Sequence, residues 1–291
     1  MTPPEEVLRQ LGRVSITARH AVESVLTGAH RSIRRGLSVE FAGHREYLPG
    51  DDLRYLDWFV FARSDRFDIR QYEEETKLRA TLVLDCSGSM GFRSGATSKL
   101  EFARGMAAAL GFLMTRQTDA VGLVTCDAGV RTELPPGSTM GHYLNLLAVL
   151  ERTHPAGETR LAAIVTELAA RFPRRGLVIL LTDAFDDPLR LVAALQLLRH
   201  RKHDVRLFQI LDPAEETFPL HGMIEFEGLE GEPKLRLDAD QVRERYRATF
   251  AEHQRQLAEG CNAAGVARHL CRTGEDLGLL LVQAFGGARN G

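Results

Sequence analysis

From Leu78 onward the chain alternates short apolar runs with segments whose apolar residues recur at helical spacing, and no other feature constrains its fold as strongly. The runs are Ala80–Leu84, closing on Asp85; Ala120–Thr125; Gly176–Leu181, closing on Thr182-Asp183; Val205–Leu211; and the shorter Val266–Leu270. An apolar run without polar alternation suits a strand buried on both faces. Between the runs, Leu100, Ala103, Ala107, Leu110 and Met114 form one helical stripe, and Tyr143, Leu146, Leu147 and Leu150 a second. Leu161, Ile164, Val165 and Leu168 form a third, and Leu189 to Leu198 a fourth. Strands alternating with helices predict crossover units: an α/β fold with a doubly wound, mainly parallel sheet covered on both faces. Ligands of such sheets bind beyond the carboxyl ends of the strands, where the strand order switches direction.

One interruption is visible. Met223–Glu227 and Lys234–Leu237 alternate apolar and polar residues around Gly228 and Gly231, which predicts a hairpin inserted before a helix over about Asp240–Gln256. The segment before Leu78 has a different character. It opens with a predicted helix from Pro4 to Leu26, becomes basic at Arg31, Arg34 and Arg35, and breaks at Pro49-Gly50-Asp51-Asp52. A strand is expected within Arg66–Tyr72. The expected division is therefore an N-terminal helical and irregular extension over residues 1–77 and an α/β domain over 78–291.

A net charge of −2 gives no global argument for nucleic acid or an anionic membrane. No apolar run reaches the roughly 20 residues that span a bilayer, and the N-terminus has no signal-peptide pattern; a cytoplasmic protein is expected. Cys86, Cys126, Cys261 and Cys271 form no C-x-x-C pair, so neither zinc nor a disulfide framework is indicated, and they read as buried apolar residues. His200 and His203 lie in a basic stretch and read as a solvated helix end rather than a metal site.

The stretch that carries chemistry is Asp85-Cys86-Ser87-Gly88-Ser89-Met90. It falls where the first buried strand ends, so a carboxylate and two hydroxyls converge in one turn at the functional rim of the sheet. Asp183, at the end of another buried run, can add a second carboxylate, and Thr159 in Gly157-Glu158-Thr159 a further hydroxyl. Such hard oxygens suit Mg²⁺, and equally Mn²⁺ or Ca²⁺. With few acidic ligands, the cation stays electrophilic toward a carboxylate from a partner. The plainer alternative is that Asp and Ser after a strand cap the next turn. Asp186 and Asp187 read as capping or supporting groups, with Asp187-Pro188 starting a helix. Asp127 follows the Ala120–Thr125 run and is a weaker candidate for the same site.

Asp85, Ser87 and Ser89, then Thr159, then Asp183 resemble the metal-ion-dependent adhesion site of von Willebrand factor A domains, in the family's order. The resemblance covers Leu78 to the C-terminus and implies a von Willebrand factor A (Rossmann-like) fold. Arg160 departs from it, standing where the family often has a second acid. Upstream, Pro49-Gly50-Asp51-Asp52-Leu53-Arg54 and Asp57-Trp58, with Arg63 and Glu73-Glu74-Glu75, resemble the signature of the domain-of-unknown-function 58 family of bacterial proteins. Physically, Asp51, Asp52, Arg54, Asp57 and Arg63 suit a charged hydrogen-bond network that fixes this segment, with Trp58 as apolar anchor.

The resemblance implies a non-enzymatic, metal-dependent protein-binding module: an adaptor or chaperone-like partner of a MoxR-type AAA+ ATPase. The competing reading is a metal-dependent phosphohydrolase with Asp85 as nucleophile. It lacks the second carboxylate such chemistry usually places two residues on, where this chain has Ser87. No glycine-rich P-loop or nucleophile elbow stands out either. A metal-free structural subunit is a third reading, under which Ser87→Ala and Asp183→Ala leave partner binding intact.

Overall fold

The computed structural model describes residues 41–46, 68–72, 78–172, 175–230 and 234–286. They belong to two compact units. In one, β1 (Phe41–Glu46) and β2 (Asp68–Tyr72) pair antiparallel. The strand expected at Arg66–Tyr72 is thus β2. Its partner β1 went unread because Phe41-Ala42-Gly43-His44-Arg45-Glu46 has too few apolar residues to alternate. The helix expected at Pro4–Leu26, the basic cluster, the acidic triplet 73–75 and the Pro-Gly-Asp-Asp to Arg63 signature lie outside the described residues.

The other unit holds all described elements from residue 78. In chain order these are β3 (Arg79–Asp85), α1 (Lys99–Arg116), β4 (Ala120–Cys126), β5 (Val130–Gly137), α2 (Met140–Arg152), α3 (Leu161–Arg171) and β6 (Leu177–Thr182). There follow α4 (Pro188–His200), β7 (Asp204–Leu211), the short α5 (Pro213–Thr217), β8 (Met223–Phe226), β9 (Leu235–Asp238), α6 (Ala239–Ala264), β10 (Ala267–Arg272) and α7 (Leu277–Gly286). Six strands form one sheet in the order β10-β7-β6-β3-β4-β5. Every pairing in it is parallel except β4 with β5. The fold is α/β with a doubly wound, mainly parallel sheet.

The apolar runs became the strands they predicted. β6 is buried at all of its positions, as a strand between two parallel neighbours must be. The helical stripes became α1 to α4. Ser98 starts α1 with a capping box, its hydroxyl accepting from the Glu101 amide while Glu101 accepts from the Ser98 amide. Asp187 caps α4 ahead of Pro188, accepting from the amides of Leu189 and Arg190. Val83, Val178, Leu180, Leu161, Val165, Leu191 and Leu195 share one buried core on one face of the sheet.

Three features departed from the pattern reading. β5 escaped notice because Val130-Arg131-Thr132-Glu133-Leu134-Pro135-Pro136-Gly137 is an exposed edge strand with two prolines, a residue confined to sheet edges and bulges. α6 runs to Ala264, past the expected end at Gln256, and stops where Gly265 takes φ +65°. α7, Leu-Gly-Leu-Leu-Leu-Val-Gln-Ala-Phe-Gly, is too uniformly apolar to show a helical period. His203 is a correction as well: His200 is exposed, but His203 is buried, edge-on to Phe172 at 5.9 Å. All four cysteines are buried and free. Among the described residues, no helix is long and apolar enough to cross a membrane.

Candidate metal centre

The chain leaves β3 through α1 toward β4, and leaves β6 through α4 toward β7 on the opposite side. The carboxyl ends of the adjacent β3 and β6 are therefore the switch point at which a ligand crevice opens. Asp85 ends β3 and Thr182 ends β6, and the Thr182 hydroxyl donates to Asp85 Oδ2 at 2.7 Å. The Ser87 amide donates to Asp85 Oδ1 at 2.9 Å. Asp85, Ser87 and Asp183 are almost wholly buried.

After Asp85 the chain turns through a single 3-10 turn, Gly88–Gly91, that brings the Ser87 and Ser89 hydroxyls within 3.1 Å of each other. The loop carrying Thr159 is stitched to this turn through the backbone. The Gly88 amide donates to the Gly157 carbonyl at 2.9 Å, and the Ala156 amide to the Cys86 carbonyl at 3.0 Å. Gly157 sits at φ +76°, a conformation that suits glycine. The structure thus brings Asp85, Ser87, Ser89 and Thr159 together on two joined loops, with Asp183 arriving from β6 close enough to raise the pKa of Asp85.

Electrostatics at this rim are unbalanced in the direction a cation corrects. Burial, then the charge of Asp183, pushes the Asp85 carboxyl above the usual carboxylate range despite the hydrogen bonds from Thr182 and Ser87. Lys99, at the first turn of α1, answers part of this. Its ammonium is fully buried and lies 2.8 Å from Asp183 Oδ2 and 2.5 Å from Glu215 Oε1. Burial works against that charge, but the two carboxylates outweigh it and hold Lys99 protonated. The Phe185 ring adds a cation–π contact at 4.7 Å.

Glu230, between β8 and β9, completes the arrangement. Its carboxylate accepts from the Thr159 hydroxyl at 2.8 Å, the Thr159 amide at 2.9 Å and the Ser89 amide at 3.3 Å. The neighbouring candidates have other work. Asp186 accepts from the Ala162 amide at 2.8 Å, satisfying a free N–H in the first turn of α3. Asp127 accepts from Arg131 Nε at 2.6 Å, and that guanidinium also donates to the carbonyls of His154 and Ala156, both at 2.7 Å. Arg160 is exposed and pairs loosely with Glu158 at 3.6 Å.

The donor set fits a hard cation: three hydroxyls and two carboxylates, with one carboxylate raised by its like-charged neighbour. Among the described residues, no group of three or more His, Cys, Asp or Glu is arranged to hold a metal. A cation here would therefore rest on Ser87, Ser89 and Thr159 as much as on Asp85 and Asp183. Sequence reasoning missed Lys99, Glu215 and Glu230. Lys99 follows a helix-capping serine and Glu215 lies in a short capped turn, so both read as ordinary surface charges. Glu230 stands between Leu229 and Gly231 in a predicted turn, and no local pattern tells where a turn will reach.

A match to the family described as Protein of unknown function DUF58 extends over residues 43–256. The chain belongs to that family. The uncharacterized protein Rv1480 of Mycobacterium tuberculosis is 26% identical over 275 residues, covering 91% of this chain and 84% of that one. Among solved structures, the conserved hypothetical protein BatB from Bacteroides thetaiotaomicron has a TM-score of 0.50 at 17% identity, covering 71% of this DUF58 chain and 95% of its own. A von Willebrand factor type A protein from Catenulispora acidiphila has a TM-score of 0.40 at 16% identity, covering 72% of this chain and 41% of its own. The BatB likeness shows a shared fold and nothing about chemistry.

Proposed function

We propose that this DUF58 protein is a non-enzymatic, metal-dependent binding module. Asp85, Ser87, Ser89, Thr159 and Asp183 hold a divalent cation, Mg²⁺ in the first place, with Mn²⁺ and Ca²⁺ accepted by the same donors. When bound, the cation supplies an open coordination position for a carboxylate. The partner is a protein that presents an acidic side chain. The motif resemblance points to a MoxR-type AAA+ ATPase, in a cytoplasmic, chaperone-like role during assembly of protein complexes. The observation that carries this reading is the meeting of two buried carboxylates and three hydroxyls at the switch point of the sheet.

The phosphohydrolase reading is weaker on the same geometry. Aspartyl chemistry of that kind usually places a second carboxylate two residues after the nucleophile, and here that position is Ser87, whose amide donates to Asp85 Oδ1 at 2.9 Å.

The test is affinity capture from native extract with mass spectrometry, using wild type in Mg²⁺, wild type in EDTA, and Asp85→Ala in Mg²⁺. Capture of an AAA+ ATPase by the first sample alone is the expected result. The same partners in all three samples would remove the site as the binding determinant. Phosphatase turnover in Mg²⁺ that Asp85→Asn abolishes would favour the enzyme.

A further inference from the structure

The β8–β9 hairpin is separate from the main sheet, its two strands pairing only with each other among the described strands. It is anchored at its base, where the Ala239 amide donates to the Gly222 carbonyl at 2.8 Å, and at the loop end of its strands, where Phe226 lies against Phe218 at 6.2 Å. Much of its apolar surface is open: Met223, Leu229 and Leu235 are each more than half exposed. Yet Glu230, four residues past the end of β8, sits on the loops of Ser89 and Thr159.

That approach is close. A Cβ placed on Gly88 would stand 2.0 Å from the Leu229 carbonyl oxygen and 3.2 Å from the Glu230 side chain. Only glycine at position 88 leaves room for the segment. The Glu230 seat includes two amide donors and one hydroxyl donor facing one carboxylate. These donors are held by a carboxylate from within the chain.

We propose that Glu230 is an internal ligand of the acid-binding rim, and that a partner binds by putting its own glutamate or aspartate in the same seat. This rests on the reading of the rim as an acid-accepting site and deepens it: the incoming group sits on a turn or extended segment like that around Glu230, and the hairpin swings off as it enters. The hairpin then sets the resting state of the module. Because a competitor must displace an intramolecular group at high effective concentration, wild type binds weakly and a chain without Glu230 binds well.

The test uses the full chain in Mg²⁺ with two readouts. The first is amide hydrogen exchange at Ser89 and Thr159 by NMR, in wild type, Glu230→Ala and Glu230→Gln. Both amides are expected to be protected in wild type and to exchange faster in Glu230→Ala. Equal rates would overturn the proposal. The second is fluorescence anisotropy with a labelled peptide of this chain's own residues 223–238. It is expected to bind Glu230→Ala at least about tenfold more tightly than wild type, and the peptide carrying Glu230→Gln is expected to lose that binding. Equal affinity for both proteins, abolished by Thr159→Val, would keep the acid-accepting site but remove Glu230 as its internal ligand. Faster exchange in Glu230→Ala with no peptide binding to either protein would overturn both the competition and the acid-accepting reading beneath it.

Discussion

Two regions build the same rim by opposite means. The β3–β6 pair lies at the centre of the sheet, is buried on both faces, and fixes Asp85 and Asp183 through the strands themselves. The β8–β9 hairpin is largely exposed, outside the sheet, and delivers Glu230 from a turn. The first region can place a charge accurately because the packing of a whole sheet resists its movement. The second can be withdrawn at little cost, because few of its contacts are buried. A site made of one fixed half and one removable half is suited to exchanging ligands, whereas a site made wholly of the first kind would only hold one.

Substitutions that load one region and spare the other test this contrast. Lys99→Met should have the largest effect, since it leaves Asp183 and Glu215 buried without their cation; a loss of about 3–5 kcal/mol is expected in chemical denaturation. A loss below about 1 kcal/mol would mean that the central half is less rigidly buried than it looks. Leu180→Ala, in a fully buried position of β6, should cost about 2–5 kcal/mol by the same measurement.

Gly88→Ala bears on the boundary between the regions. The added methyl collides with the Leu229 carbonyl, so the hairpin should draw back at a cost of about 1–3 kcal/mol. Faster tryptic cleavage at the exposed Lys234 and Arg236 would report the withdrawal; unchanged cleavage would show that the first loop, and not the hairpin, gives way. Leu235→Ala, at a half-exposed hairpin position, should stay within about 0.5 kcal/mol of wild type. A large loss there would erase the contrast.

What could be read from the sequence follows the same division. β3, β4, β6 and β7 were legible because burial on both faces demands mainly apolar runs, and the ends of β3 and β6 pointed to Asp85 and Asp183. β5 was hidden because an edge strand needs no such run and carries prolines. Lys99 was hidden for a different reason: nothing in Ser98-Lys99-Leu100 distinguishes an ammonium turned inward to Asp183 from one turned to solvent. Glu230 depended on where a hairpin lands, which is a property of the assembled fold. The hydroxyls of Ser87 and Ser89 were readable because their loop follows a strand, whereas Thr159, between α2 and α3, was readable only through the motif resemblance. The cation they would hold, and the partner, rest on the proposals above.

The edge strand has one further consequence. Pro135 and Pro136 offer no N–H, and because successive N–H groups of a strand point to opposite sides, a strand laid beside β5 would find one donor missing from its ladder. Backbone pairing of a second copy along that edge is thereby weakened, so the prolines themselves act against edge-to-edge aggregation.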